Sequence, residues 1–170
     1  MKAHTLEDGT DYYGINPHGY VPLLEIDDGH RLTEGPVIIQ YVADQVKDKR
    51  LAPPWGTMER YRFNEWLSFI HSELHQTLGL LFKGQLPNDV EVDYHKRVLG
   101  RFQWLERQLE GKVYVMGETF TAADAYLFVV AGWGKYVGVD LSSFENLQSV
   151  LARVADRPSV QEALNVEGLG

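Results

Sequence analysis

The sequence contains no cysteine. That excludes a disulfide framework, a thiolate metal site and any cysteine nucleophile in this chain. A basic patch is missing as well. Lys and Arg number 16 against 24 Asp and Glu, for a formal charge of −8, and a nucleic-acid surface needs clustered cations against phosphate. The densest basic stretch, residues 47–50, is interrupted by Asp48 and reads as a solvated helix end. No apolar run approaches the roughly 20 residues of a membrane-spanning helix. The opening Met-Lys-Ala-His-Thr-Leu-Glu-Asp has no apolar stretch of the kind a signal peptide carries, and neither repeats nor low-complexity segments occur. The expectation is a soluble, cytoplasmic protein without a nucleic-acid or membrane partner.

What is present suffices for a core: 44% of the 170 residues are apolar and 24% are charged, as in ordinary globular chains. Residues 20–26 read as a strand, Asp27-Asp28-Gly29 as a turn, and 30–33 as a short returning strand. Pro36 suits the first position of a helix, and Val37, Ile38, Tyr41 and Val42 carry that helix to about residue 46. Residues 47–57, with Pro53-Pro54 and Gly56, form a linker that separates a unit at 1–46 from one at 58–170. The second unit reads as all helix. One helix covers 58–82, with Phe63, Trp66, Leu67, Ile70, Leu74, Leu78 and Leu81 on one face. Others cover 90–109, 122–137, 144–156 and 158–165, the second of these apolar almost all round and so expected at the centre.

Two motifs point to a ligand. Proline inside the apolar strand at Val21-Pro22 cannot donate to a ladder. It marks either an edge with no ligand or, if the bond is cis, a place where the Val21 amide and carbonyl turn outward to pair with an extended peptide. Glu34-Gly35-Pro36 opens a helix. Free N–H groups and the positive dipole end suit a carboxylate there, Gly35 allows close approach, and Glu34 can take an ammonium group. An ordinary turn with an exposed glutamate explains the same residues taken alone.

Other residues read as follows. Thr121-Ala122-Ala123-Asp124 has capping-box spacing with Phe120 in the staple position, a structural role. His71 and His75 stand four apart on one helix face, but no third ligand completes a metal set, so no metal is expected. Trp133 and Tyr136 lie late on the apolar helix, where Tyr136 reads as core and Trp133 as pocket.

Taken together, Asn-Pro-His-Gly-Tyr-Val-Pro at 16–22, Leu-Thr-Glu-Gly-Pro at 32–36, Gln40 to Asp44, Glu65-Trp66-Leu67, Ser72 to His75, Phe120 to Leu127 and Glu167-Gly168-Leu169 resemble glutathione transferases, closest to the bacterial beta class. The resemblance covers the whole chain. It implies a mainly α fold, with an all-helical C-terminal domain behind a truncated thioredoxin-like unit. It also implies that about thirty residues, carrying the Tyr, Ser or Cys that activates the thiol, come before the segment seen here. By the resemblance, Val21, Pro22, Glu34, Gly35 and His4 hold glutathione, His75 faces its sulfur, and Leu78 and Trp133 line the pocket of a small hydrophobic electrophile. The implied protein is a detoxifying homodimer with glutathione as co-substrate and no metal. Ser68 stands where the beta class has asparagine. The alternative function is a non-catalytic glutathione-binding or interaction protein.

Overall fold

The computed structural model of the chain describes residues 4–84 and 86–169. The terminal positions 1 and 170 of the expected domains lie outside these. The chain is mostly helical, with one small sheet.

That sheet is an antiparallel hairpin of β1 (Leu23–Glu25) and β2 (Arg31–Thr33), pairing Leu23 with Thr33, Leu24 with Leu32 and Glu25 with Arg31. Gly29, at φ 81°, makes the turn, a conformation that costs a side-chain-bearing residue more. The expected strand 20–26 is thus shorter. β2 is three residues long and runs straight into a helix, so Tyr20 and Val21 find no ladder partner among the described residues, and Pro22 has no N–H to offer.

Helix α1 (Gly35–Gln45) carries Pro36 in its first turn. Thr57 caps α2 (Met58–Phe69) by accepting from the Arg60 amide at 3.2 Å. The helix expected over 58–82 is interrupted: a π-helical turn, Ile70–His75, joins α2 to α3 (Gln76–Phe82). The Gln76 amide there bonds back to the His71 carbonyl, five residues earlier. The apolar stripe stays in register across this turn because Ile70, Leu74 and Leu78 all remain in the core at 0% exposure. Such turns are rare and concentrate at functional sites.

Helices α4 (Asn88–Gln108), α5 (Ala122–Gly132), α6 (Glu145–Ala155) and α7 (Pro158–Val166) complete the fold. Phe63, Leu67, Phe102, Leu105, Leu127 and Leu147 share one hydrophobic core. The expected helix 122–137 stops at Gly132 and continues only as a 3-10 turn, Trp133–Tyr136. Backbone crowding explains this. A Cβ at Gly134 would meet the Val139 carbonyl at 2.9 Å, so the chain folds back there at close quarters. Nor is α5 buried all round, since Val129 is half exposed.

Three polar devices fix the helices. Asp124 is fully buried in the capping box at the start of α5 and accepts from the Thr121 amide (2.7 Å), the Thr121 hydroxyl (2.9 Å) and the Val115 amide (2.7 Å). Glu106 on α4 accepts from the amides of Asn146 and Leu147, each at 2.9 Å, and so satisfies the open N-terminus of α6. Buried Arg60 on α2 bridges both carboxylate oxygens of Asp44 on α1 (2.8 and 2.9 Å) and donates to the Pro53 carbonyl. This last device ties α1 rigidly to the helical unit.

Candidate functional site

The loop before Val21 is pinned from both sides. The Tyr20 carbonyl accepts from the Tyr12 hydroxyl (2.9 Å) and from the buried Asn16 amide (2.7 Å). Gly19, at φ 70°, is packed under His4 and Tyr13, and an added Cβ would sit 2.7 Å from the Tyr13 ring. The Val21-Pro22 bond is cis, and Val21 is exposed. A Cβ on Gly35 would lie 3.9 Å from Pro22 Cγ, so the two ligand motifs are neighbours in space.

Glu34 precedes α1 with φ 68° and ψ 111° and makes no capping bond of its own. A non-glycine residue in that region costs of order 1–3 kcal/mol, and such strain is retained where surrounding structure or function demands it. The conformation leaves the carboxylate at the helix N-terminus, with Oε2 3.9 Å from His71 Nε2.

The π-helical turn places His71 and His75 together, and both direct Nδ1 at one phenol. His75 Nδ1 lies 2.8 Å and His71 Nδ1 3.1 Å from the Tyr126 hydroxyl on α5. Gln76 Nε2 lies 3.4 Å from His71 Nε2. His75 meets the edge of Trp133 at 4.6 Å between ring centroids, and Trp133 in turn meets Phe82 at 5.9 Å. Glu34, His71, Tyr126, His75 and Trp133 therefore form one continuous surface from the N-terminus of α1 to the end of α5.

Burial, and secondarily the neighbouring His71, hold the His75 imidazole below its usual value of 6.5. Burial, and then the Glu34 carboxylate, push the Tyr126 phenol up to about 12. At neutral pH His75 is uncharged and Tyr126 keeps its proton.

The structure thus brings together Pro22, Gly35, Glu34, His75 and Trp133, with Val21 adjoining Pro22. His4 packs on the Tyr13 ring at 4.5 Å and lies against Gly19, two residues before Val21. Leu78 is wholly buried in the helical core, which removes it from an open pocket lining. Tyr136, read as core, is 61% exposed: the 3-10 turn rotates it off the helix face. A cavity of about 880 Å³, lined by Phe128, Trp133, Tyr136, Leu141, Leu151 and Leu164, opens beside it. Among the described residues no group of three or more His, Cys, Asp or Glu is arranged for a metal, and no helix is long and apolar enough to cross a membrane.

Sequence reasoning missed Tyr126 and weighed His71 only as half of a metal pair. A signal existed for Tyr126, since a phenol on an otherwise apolar helix needs a hydrogen-bond partner. The partner's identity depends on how α5 crosses the π-helical turn.

Comparison with known proteins identifies the family. The profile of the glutathione S-transferase C-terminal domain matches residues 71–158. The chain is 40% identical over 169 residues to glutathione S-transferase GstA of Escherichia coli O157:H7, covering 99% of this chain and 84% of that protein. It is 34% identical to glutathione S-transferase GST-4.5 of Xanthomonas campestris pv. campestris, covering 94% and 81%. Among solved structures, a ternary complex of BphK, a bacterial glutathione transferase, superposes with a TM-score of 0.95 at 46% identity, covering 98% of this chain and 84% of that one. The beta-class enzyme of Sphingomonas chungbukensis gives 0.93 at 41%, covering 99% and 84%. A sphingomonad glutathione S-transferase complexed with glutathione gives 0.92 at 37%, with the same coverages of 99% and 84%. The chain belongs to the glutathione S-transferase family.

Proposed function

We propose that the protein transfers the glutathione thiolate to small apolar electrophiles, a detoxifying activity of the cytoplasm. The observation that carries this reading is the continuity of the surface described above. A strained glutamate at a helix N-terminus adjoins exposed strand-edge backbone on one side and His71 on the other, and His71 shares the Tyr126 hydroxyl with His75. The γ-glutamyl end of glutathione carries an ammonium and a carboxylate. Glu34 takes the first, and the N–H groups at Gly35 and beyond take the second. The exposed Val21 backbone suits the cysteinyl residue as an added strand. His75 then faces the sulfur, and Trp133 offers an apolar wall to the electrophile. The relative crystallised with glutathione supports the choice of ligand.

A homodimer belongs to this reading, supported by the exposed Trp55, Met58 and Tyr61 at the start of α2. Sedimentation should give twice the chain mass of 19.4 kDa.

The test is the initial rate of conjugation of glutathione to an aryl chloride by the purified protein. A rate well above the uncatalysed reaction, lowered by substitution of His75, supports the proposal. A background rate would refute it.

A further inference from the structure

We infer that Tyr126 is a positioning residue that fixes the tautomer of His75, so that His75 carries its proton on Nε2 and presents a donor, not a base, to the substrate sulfur. The part concerning sulfur rests on the proposed function; the tautomer itself does not.

The inference follows from counting protons. A phenol has one hydrogen to give, yet two imidazole nitrogens lie within hydrogen-bond distance of the Tyr126 oxygen. Two unprotonated nitrogens cannot both be served, and two protonated ones would leave the phenol hydrogen without an acceptor there. The arrangement that satisfies all three groups among themselves has one Nδ1 donating and the other accepting.

Two observations set the direction. The shorter contact, 2.8 Å, is to His75 and the longer, 3.1 Å, is to His71. Hydroxyl donors make shorter bonds than N–H donors, so the phenol donates to His75 Nδ1 and accepts from His71 Nδ1–H. Next, the Gln76 amide nitrogen stands at His71 Nε2. An amide nitrogen only donates, which leaves His71 Nε2 as acceptor and puts that ring's proton on Nδ1. The Glu34 carboxylate, 3.9 Å from the same nitrogen, is beyond hydrogen-bond reach and does not compete with that amide for it.

The chain runs from Gln76 through His71 and Tyr126 to His75. His71 and Glu34 are the titratable groups facing it from the π-helical turn and from the N-terminus of α1. Tyr126 stays protonated because burial pushes its phenol up to about 12. The chemical consequence concerns the thiol proton. When the S–H bond breaks, the proton leaves to solvent, since His75 Nε2 already holds one. The His75 N–H then stabilises the thiolate until its electron pair forms the bond to the electrophile, from which, in an aryl chloride, the carbon–chlorine bond breaks and chloride leaves with its electron pair.

The experiment is nitrogen-15 NMR of the histidine rings at pH 7.5 in the full chain, wild type and Tyr126→Phe. The expected wild-type spectrum has His75 Nδ1 pyridine-like and Nε2 pyrrole-like, with His71 Nδ1 pyrrole-like. In Tyr126→Phe the two His75 shifts move towards each other as the tautomers mix. A pyrrole-like His75 Nδ1 in the wild type would overturn the inference, whether or not the variant folds. Unchanged His75 shifts in a folded Tyr126→Phe would do the same. Kinetics give a second readout through His75→Gln, which keeps an N–H donor but cannot act as a base. Retention of kcat within about tenfold supports a donor, whereas a loss of about 100-fold or more is the signature of a lost general base. The spectra require no glutathione, so a chain without turnover would defeat the proposed function while the tautomer is decided separately.

Discussion

Removing the Arg60 guanidinium should be among the costliest single changes in this protein. Its side chain is 1% exposed and that of Asp44 is 24% exposed. In Arg60→Ala the Asp44 carboxylate loses both Arg60 bonds and keeps Trp55 Nε1 at 2.8 Å. Gln40 Oε1 and the Pro53 carbonyl lose a donor, and Trp55 loses the cation stacked 3.9 Å from its ring. Breaking a buried pair by removing one partner costs about 3–5 kcal/mol. The partial exposure of Asp44 and its retained Trp55 bond place the value near the lower end, about 3 kcal/mol. The sign of the pH dependence follows from the pair. Hydrogen bonding to Arg60 is the main cause that holds the Asp44 carboxyl below the usual carboxylate value, against burial. A lowered folded value contributes stability that is present above the unfolded value and is lost as pH falls through the folded one. The deficit of Arg60→Ala should therefore be full at pH 7 and shrink below about pH 4. Urea unfolding of both proteins across that range measures it. A deficit under 1 kcal/mol at pH 7, or one that does not change with pH, would refute the reasoning.

Further outcomes are expected. Glu34→Gln should weaken glutathione binding about tenfold or more, the value of one charge-assisted bond, and calorimetry would expose an unchanged affinity. The His75 imidazole should titrate below 6.5, because burial disfavours its charged form. Its contribution to stability is then present above the unfolded value and lost as pH falls through the folded one; an NMR midpoint at or above 6.5 contradicts this. Asp124→Ala strands three donors, two of them backbone amides, and should cost about 3 kcal/mol or more at 1–3 kcal/mol per unsatisfied group. Thermal unfolding measures that loss, and glutathione affinity measured at a temperature where the variant is folded should not move. Leu78→Ala should cost about 2–5 kcal/mol by opening a core cavity with no change in electrophile KM; a large KM effect would return Leu78 to the pocket.

Much of this protein was legible from residues alone. The hairpin turn, the helix start at Pro36, the linker prolines and the Thr121–Asp124 cap are local: each follows from backbone constraints or from hydrogen bonds reaching only a few residues. The apolar stripe from Phe63 to Leu81 was legible because periodicity reports which face is buried. It could not report the π-helical turn inside the stripe, since one wider turn leaves the buried positions in place. The early stop of α5 was hidden for a similar reason, because the close approach of the Val139 carbonyl to Gly134 is made by a segment returning from further along the chain.

The sequence determined the family, the helical character and the two candidate binding motifs, whose chemistry resides in adjacent residues. Only the tertiary structure decided the site. Glu34, the His71–His75 turn and the Tyr126–Trp133 segment lie far apart along the chain, and the shared hydroxyl of Tyr126 depends on how α5 crosses the π-helical turn. Leu78 was separated from that set for the same reason: a side chain's type states what it can bind, while packing against distant segments decides what it faces.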